Sequence, residues 1–135
     1  MTPYFKVLLI PFCISLLSVS NSWAEQPPTE NQSAQDAMRS FIKIQTAGNG
    51  LMPLIHKGKV LQLKLATSDK YPDGFHHGVK KEGHLFTSCA DFIDPISGSK
   101  FDIDFLVNKS GGSFYVVQPI VHSIDGEKNP YDLSH

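Results

Sequence analysis

The chain has little cysteine and little tryptophan. Its 135 residues include two cysteines, Cys13 and Cys89, and one tryptophan, Trp23. If residue 13 is removed on export, no internal disulfide is possible. Cys89 is then interpreted as a small apolar residue of a strand, with an intermolecular disulfide or a reactive thiol as alternatives. The sequence also lacks a C-x-x-C-H stretch for haem, the H-E-x-x-H pair of zinc proteases and a glycine-rich phosphate loop.

An excess of charge of one sign is also lacking. Twelve Lys and Arg residues stand against thirteen Asp and Glu residues, which gives a formal net charge of −1 at pH 7. This balance gives no reason to expect nucleic acid or an anionic membrane surface as a partner.

Residues 1–24 have the layout of a secretory signal peptide. Lys6 gives a weakly basic start, the apolar run "VLLIPFCISLLSV" spans Val7–Val19, and "SNSWA" places small residues before a cleavage point after Ala24. The apolar run is shorter than the roughly 20 residues needed to span a bilayer, which favours a cleaved signal over an anchor. We therefore predict a secreted or periplasmic protein whose mature chain starts at Glu25.

The remainder is predicted to be a flexible leader followed by one domain. Residues 25–32 are polar and contain prolines, and they form the leader. Residues 33–135 form a single α+β domain. At its start, apolar residues recur at three- and four-residue steps, which predicts an amphipathic helix over Ser33–Thr46 with Ser33 as its N-cap.

About four strands are predicted after the helix. Alternating apolar and polar residues in "KVLQLKLAT" indicate a half-buried strand, and the short loops "DPISGS" and "NKSGGS" make the later strands antiparallel hairpins. The predicted ranges are Lys59–Thr67, His84–Ile93, Lys100–Val107 and Phe114–Ile124. The predicted fold class is α+β, with one N-terminal helix packed on a curved antiparallel sheet.

Loop length predicts the register of the first hairpin. If the loop Asp94–Ser99 closes without a bulge, Phe92 faces Phe101 and Cys89 faces Asp104. The apolar residues then fall on one face of the sheet, and the cysteine and carboxylates fall on the other. A slip of one residue would place aspartates at core positions, which supports this register.

The alternation of side chains between the two faces of the sheet also predicts a ligand pocket in the second hairpin. It places Gln118 and His122 on the apolar face, beside Phe101, Phe105 and Ile120. A few polar side chains within an apolar surface are typical of small-ligand sites, so these five residues are the candidate binding residues.

Two other sites are considered for the same sheet. A Cys89–His122–Asp104 nucleophile arrangement would need all three side chains on one face, and the predicted register separates His122 from the other two. No catalytic residue is therefore assigned, although a bulge at Pro119 would turn the His122 side chain to the other face.

Metal sites are the second alternative. Asp91, Asp102 and Asp104 are a weak candidate for a hard cation, although a hydrated acidic face is the favoured interpretation because no D-x-D-x-D-G spacing is present. In "YPDGFHHGVK", His76 and His77 follow a turn and would point in opposite directions if extended, so they could not easily chelate one ion. They are interpreted as part of a loop at the rim of a pocket.

Part of the chain resembles a known fold group. The helix Ser33–Thr46 and the strands "KFDIDFLV" and "SFYVVQPIVHSIDG" resemble the cystatin-like and nuclear-transport-factor-like α+β rolls. The resemblance implies a sheet whose concave face could form a cone-shaped pocket. It carries over no functional residue.

We therefore expect an exported, non-enzymatic binding or accessory protein. Its partner would be an unidentified small molecule or a periplasmic protein, with a homodimer as an open alternative. Six histidines and a lone cysteine motivate a second hypothesis, a metal- or metal-cofactor-associated periplasmic protein. The third is a small enzyme that uses His122 as acid and base. The sequence identifies no cofactor.

Signal cleavage after Ala24 would remove the single tryptophan of the chain. Protein recovered from the periplasm should therefore begin at Glu25 and show no tryptophan emission, whereas the precursor made in the cytosol should show it. Amino-terminal sequencing and a fluorescence spectrum test this prediction. Tryptophan emission from the exported protein would contradict the cleavage site.

Overall fold

The computed structural model describes residue 3 and residues 26–132, so the predicted signal peptide lies outside the described residues except for Pro3. The described part contains one helix and seven strands. Their bounds are α1 Glu30–Gln45, β1 Met52–His56, β2 Lys59–Leu65, β3 Phe75–Glu82, β4 Leu85–Ile93, β5 Lys100–Ser110, β6 Ser113–Ile124 and β7 Glu127–Lys128. Among these residues, no helix has the length and apolar character needed to cross a membrane.

The helix begins earlier than predicted because its cap lies in the predicted leader. The Thr29 hydroxyl accepts from the Gln32 backbone N–H at 3.2 Å, and the Gln32 side-chain oxygen accepts from the Thr29 N–H at 2.8 Å. This reciprocal pair is a capping box, which satisfies two N–H groups that the first turn leaves without partners. The predicted cap at Ser33 is therefore wrong. The buried face of α1 consists of Ala34, Met38 and Ile42.

The sheet is antiparallel and has the strand order β1-β2-β4-β5-β6-β7, with β3 also paired to β4. The prediction of a cystatin-like roll with about four strands is wrong, because the sheet has seven strands and includes β1, β3 and β7. Each lacks the usual signal: β1 contains Pro53, β3 is mostly polar, and β7 has two residues. One helix and an antiparallel sheet still fit the α+β class.

The register of β4 against β5 is confirmed. Phe92 pairs with Phe101, and Cys89 pairs with Asp104. The inner face packs under α1, where the rings of Phe41 and Phe105 meet edge to face with centroids 6.0 Å apart. Phe105 is fully buried, and burial of such a side chain stabilises the fold by roughly 1.5–3 kcal/mol.

The register of β6 against β5 differs from the prediction because the pairing shifts twice. Val107 pairs with Val116, and the shifts then give the pairs Leu106↔Gln118, Asp104↔Ile120 and Ile103↔Val121. The inner position therefore belongs to Val121, which is 2% exposed. The predicted inner-face positions of Gln118, Ile120 and His122 are wrong, because a bulge reverses the faces of the residues that follow it.

A glycine fixes the start of β3 against β4. Gly74 has φ +82°, its N–H donates to the Tyr71 carbonyl at 2.9 Å, and its carbonyl accepts from the Asp91 N–H at 2.8 Å. A Cβ at this position would lie 2.4 Å from the carbonyl oxygen of Ala66. Only glycine fits both the backbone conformation and the space.

Gly74→Ala should therefore destabilise the protein more than Gly98→Ala does. Gly98 has a similar φ of +75°, but a Cβ there would meet no atom within 4 Å. We expect Gly98→Ala to cost roughly 1–2 kcal/mol of unfolding free energy from backbone strain. The clash should add about 1–3 kcal/mol for Gly74→Ala. Equal losses in urea unfolding would contradict this account.

Candidate functional site

The outer face of β4 and β5 carries a group of polar side chains. Cys89 and Asp91 on β4 pair with Asp104 and Asp102 on β5. Side chains from β3, from β6 and from the segment after β7 surround these four positions. We call the whole group the polar cluster, and it consists of His76, Cys89, Asp91, Asp102, Asp104, His122 and Tyr131.

Asp104 lies at the centre of one half of the polar cluster. It is 3% exposed and accepts three hydrogen bonds. The Cys89 thiol donates to Oδ1 at 2.8 Å, His122 Nδ1 donates to Oδ2 at 2.8 Å, and the Tyr131 hydroxyl also donates to Oδ2. These three donors satisfy the hydrogen-bonding requirement of a buried carboxylate.

The cysteine is held as a thiol. Burial, the hydrogen bond to Asp104 and the charges of the nearby carboxylates raise the pKa of Cys89 well above its usual range. The thiolate is the reactive form of cysteine, so this site suppresses nucleophilic chemistry at neutral pH. The same causes, burial first, raise the pKa of the Tyr131 phenol.

The predicted separation of His122 from Cys89 and Asp104 is wrong, because all three side chains lie on one face. Their arrangement is nevertheless not that of a cysteine–histidine pair. The Asp104 carboxylate accepts from both the thiol and the imidazole. A nucleophile needs direct contact with its base, so this order does not activate Cys89.

His76 belongs to the polar cluster and lies in strand β3, not in a loop. Its Nε2 is 2.8 Å from Asp91 Oδ1, and its ring stacks on Tyr71 with centroids 4.1 Å apart. The strand pairing shifts between Phe75 and Val79, so the histidines lie in an irregular part of β3. His77 is exposed, with its ring at the edge of Tyr71.

Three residues of the polar cluster could hold a metal ion. His76, Cys89 and Asp102 place one ligand atom each within 4.8 Å of the others. Tetrahedral zinc with bonds of about 2.0–2.3 Å would need ligand atoms roughly 3.3–3.8 Å apart, so the side chains would have to approach one another by up to about 1.5 Å. No other such group of three or more His, Cys, Asp and Glu residues is found in the described part of the chain.

Asp102 differs from its two neighbouring aspartates. Its Oδ1 is buried and has no hydrogen-bond partner among the described residues. Burial raises the pKa of this carboxyl, as do the charges of Asp104 and Asp91, while His76 and His122 oppose the shift. A buried carboxylate oxygen without a protein donor can accept a hydrogen bond or bind a cation.

The structure does not bring the other predicted site residues into one pocket. Phe101 and Phe105 are part of the core on the inner face, whereas Gln118 is exposed and Ile120 pairs with Asp104. The three aspartates do lie together, but Asp104 and Asp91 are already occupied by protein donors. Sequence reasoning missed the combination of histidine and cysteine with Asp102, and the available signal was "HH" within a run that continues as a strand.

Comparison with known proteins does not assign a family. No protein-family model matches this chain, and no curated protein or solved structure shows significant similarity to it. A proposal for function must therefore rest on the chemistry of the polar cluster.

The raised pKa of Cys89 predicts a loss of stability in mild alkali. The folded protein retains the thiol proton while the unfolded chain releases it above about pH 8.5, so unfolding becomes easier as the pH rises. Between about pH 7.5 and pH 9.5 the loss should be at most about 1.4 kcal/mol, and smaller because the thiol is partly exposed. Urea unfolding of the wild type and Cys89→Ser measures it. The serine variant should lack this component, and equal pH dependence of both proteins would contradict the assignment.

Proposed function

We propose that this protein binds a divalent transition-metal ion through His76, Cys89 and Asp102. The observation that carries the proposal is the convergence of their ligand atoms within 4.8 Å of one another. Imidazole nitrogen, thiolate sulfur and carboxylate oxygen are the ligand types of protein zinc sites. The sulfur ligand favours zinc or copper over calcium and magnesium, which prefer oxygen ligands alone.

Asp102 supports the proposal independently of the distances. Its buried Oδ1 has no partner among the described residues, and a bound cation would supply one. Asp91 lies directly across from Asp102, and like charges in opposed sheet positions repel each other. A divalent ion would convert this repulsion into attraction.

Asp91 would orient the histidine ligand. His76 Nε2 lies 2.8 Å from Asp91 Oδ1, and a ring that donates there would offer Nδ1 to the metal ion. A carboxylate that holds one nitrogen of a metal-bound histidine fixes the ring and increases its basicity. Stacking against Tyr71 further restricts the ring.

Metal binding at this site would compete with protons. Cys89 must lose the proton that it donates to Asp104 before its sulfur can bind a metal ion. Because the pKa of this thiol is raised, the metal must displace a firmly held proton, so the affinity should increase as the pH rises.

We also propose that the protein is exported and acts as a binding or accessory protein, not as an enzyme. The signal-peptide layout of residues 1–24 supports export. The protonated thiol and the position of Asp104 between Cys89 and His122 leave no activated nucleophile in the polar cluster.

Zinc titration of the reduced protein by calorimetry tests the metal site. His76→Ala and Cys89→Ala should each weaken zinc binding more than about 100-fold, because each removes a ligand. Asp91→Asn should weaken it by about 10- to 100-fold, because it removes only the group that orients His76. Cobalt should give a thiolate-to-metal charge-transfer band in the wild type that Cys89→Ala lacks.

His77→Ala is the matched control, since it removes the neighbouring exposed histidine. Its zinc affinity should equal that of the wild type. Equal weakening by His76→Ala and His77→Ala, or unchanged binding in Cys89→Ala, would contradict the proposed ligands. Thermal unfolding of each metal-free variant separates loss of a ligand from loss of the fold.

A further inference from the structure

We propose that the metal ion keeps one coordination position open to an adjacent pocket, and that this position takes a small carboxylate ligand from solution. This inference rests on the proposed metal site. The pocket has a volume of about 370 Å³, and its lining includes Asp91, Asp102, Lys100, Ser68 and Ser123. That volume is near the lower end of the roughly 300–1,000 Å³ range of ligand pockets, so the ligand should be small.

The protein itself supplies three ligands, whereas zinc is usually four-coordinate. The two remaining carboxylates of the polar cluster are engaged, because Asp104 accepts three hydrogen bonds and Asp91 accepts one from His76. Recruiting either carboxylate would break these bonds. The fourth position therefore falls to a molecule from outside, as in metal sites that exchange ligands.

Two cavities border the polar cluster, and only one is lined by a proposed metal ligand. The pocket includes Asp102 in its lining. The larger groove, of about 640 Å³, is lined by His122, Tyr131 and Lys128 among others and includes none of the three ligand residues. An exchangeable ligand on the metal should therefore occupy the smaller pocket.

The pocket lining indicates the class of ligand. Lys100 lies two residues before Asp102 on β5, so both side chains are on the outer face, and Ser68 and Ser123 add hydroxyl donors. A carboxylate could bind the metal through one oxygen and accept from Lys100 through the other. Without metal, Asp91 and Asp102 would repel the same anion, so binding should depend on the metal.

Titration of the cobalt-loaded protein with sodium acetate at constant ionic strength tests this inference. Acetate should shift the visible cobalt bands in the wild type. Lys100→Met should weaken acetate binding about tenfold, because it removes a charge-assisted hydrogen bond. Lys128→Met, which removes a lysine of the larger groove, should leave acetate binding unchanged and is the matched control. Both variants should give the wild-type cobalt spectrum before acetate is added.

The outcomes separate this inference from the metal site on which it rests. If cobalt produces no thiolate charge-transfer band, the metal site is wrong and this inference falls with it. If the band forms but acetate does not alter the cobalt spectrum, only the open position is overturned. If Lys128→Met weakens acetate binding and Lys100→Met does not, the ligand occupies the groove and the assignment to the pocket is overturned.

Discussion

The arrangement of the outer face depends on a buried carboxylate, Asp104. It is 3% exposed, and its three hydrogen-bond donors come from three separate parts of the chain. Cys89 belongs to β4, His122 to β6, and Tyr131 to the segment after β7. Asn129 anchors that segment, since its backbone N–H donates to the His122 carbonyl at 2.7 Å and its side chain donates to the Val121 carbonyl at 2.9 Å. The hydrogen bonds to this one carboxylate thus connect β4, the irregular position of β6 at His122 and the segment after β7.

The parts of the fold that follow a strict period could be predicted from sequence. The β4–β5 register follows from alternation and loop length, and Phe92 does pair with Phe101. In β6 the period breaks twice, once before Gln118 and once at His122, and neither irregularity lies at Pro119, which pairs with Phe105. The two shifts cancel in parity. Ile124 therefore returns to the inner face, where it pairs with Phe101, and only the middle of β6 changes faces.

The polar cluster could not be predicted because its residues are neighbours only in the folded sheet. His76 is 26 residues from Asp102 in the sequence, and they lie on two strands that both flank β4. The strand that carries His76 has the sequence "FHHGVKKE", which lacks the alternating apolar residues that indicate a strand. It pairs with β4 because the turn at Gly74 places it there. The sequence predicts that turn but not the strand after it, because tertiary pairing outweighs weak local propensity.

The three aspartates of the polar cluster differ in their hydrogen-bond partners, and this difference favours Asp102 as the carboxylate of the proposed metal site. Their charges repel one another on adjacent strands, and protein donors relieve two of them: Asp104 by three hydrogen bonds, and Asp91 by His76. Asp102 keeps a buried oxygen without a partner in the described chain. Asp102 is therefore the least compensated of the three carboxylates, and it lies beside the Cys89 thiol and the His76 imidazole. The proposed transition metal would suit that position, because nitrogen, sulfur and oxygen ligands lie together there and because the charge of the ion would offset that of Asp102.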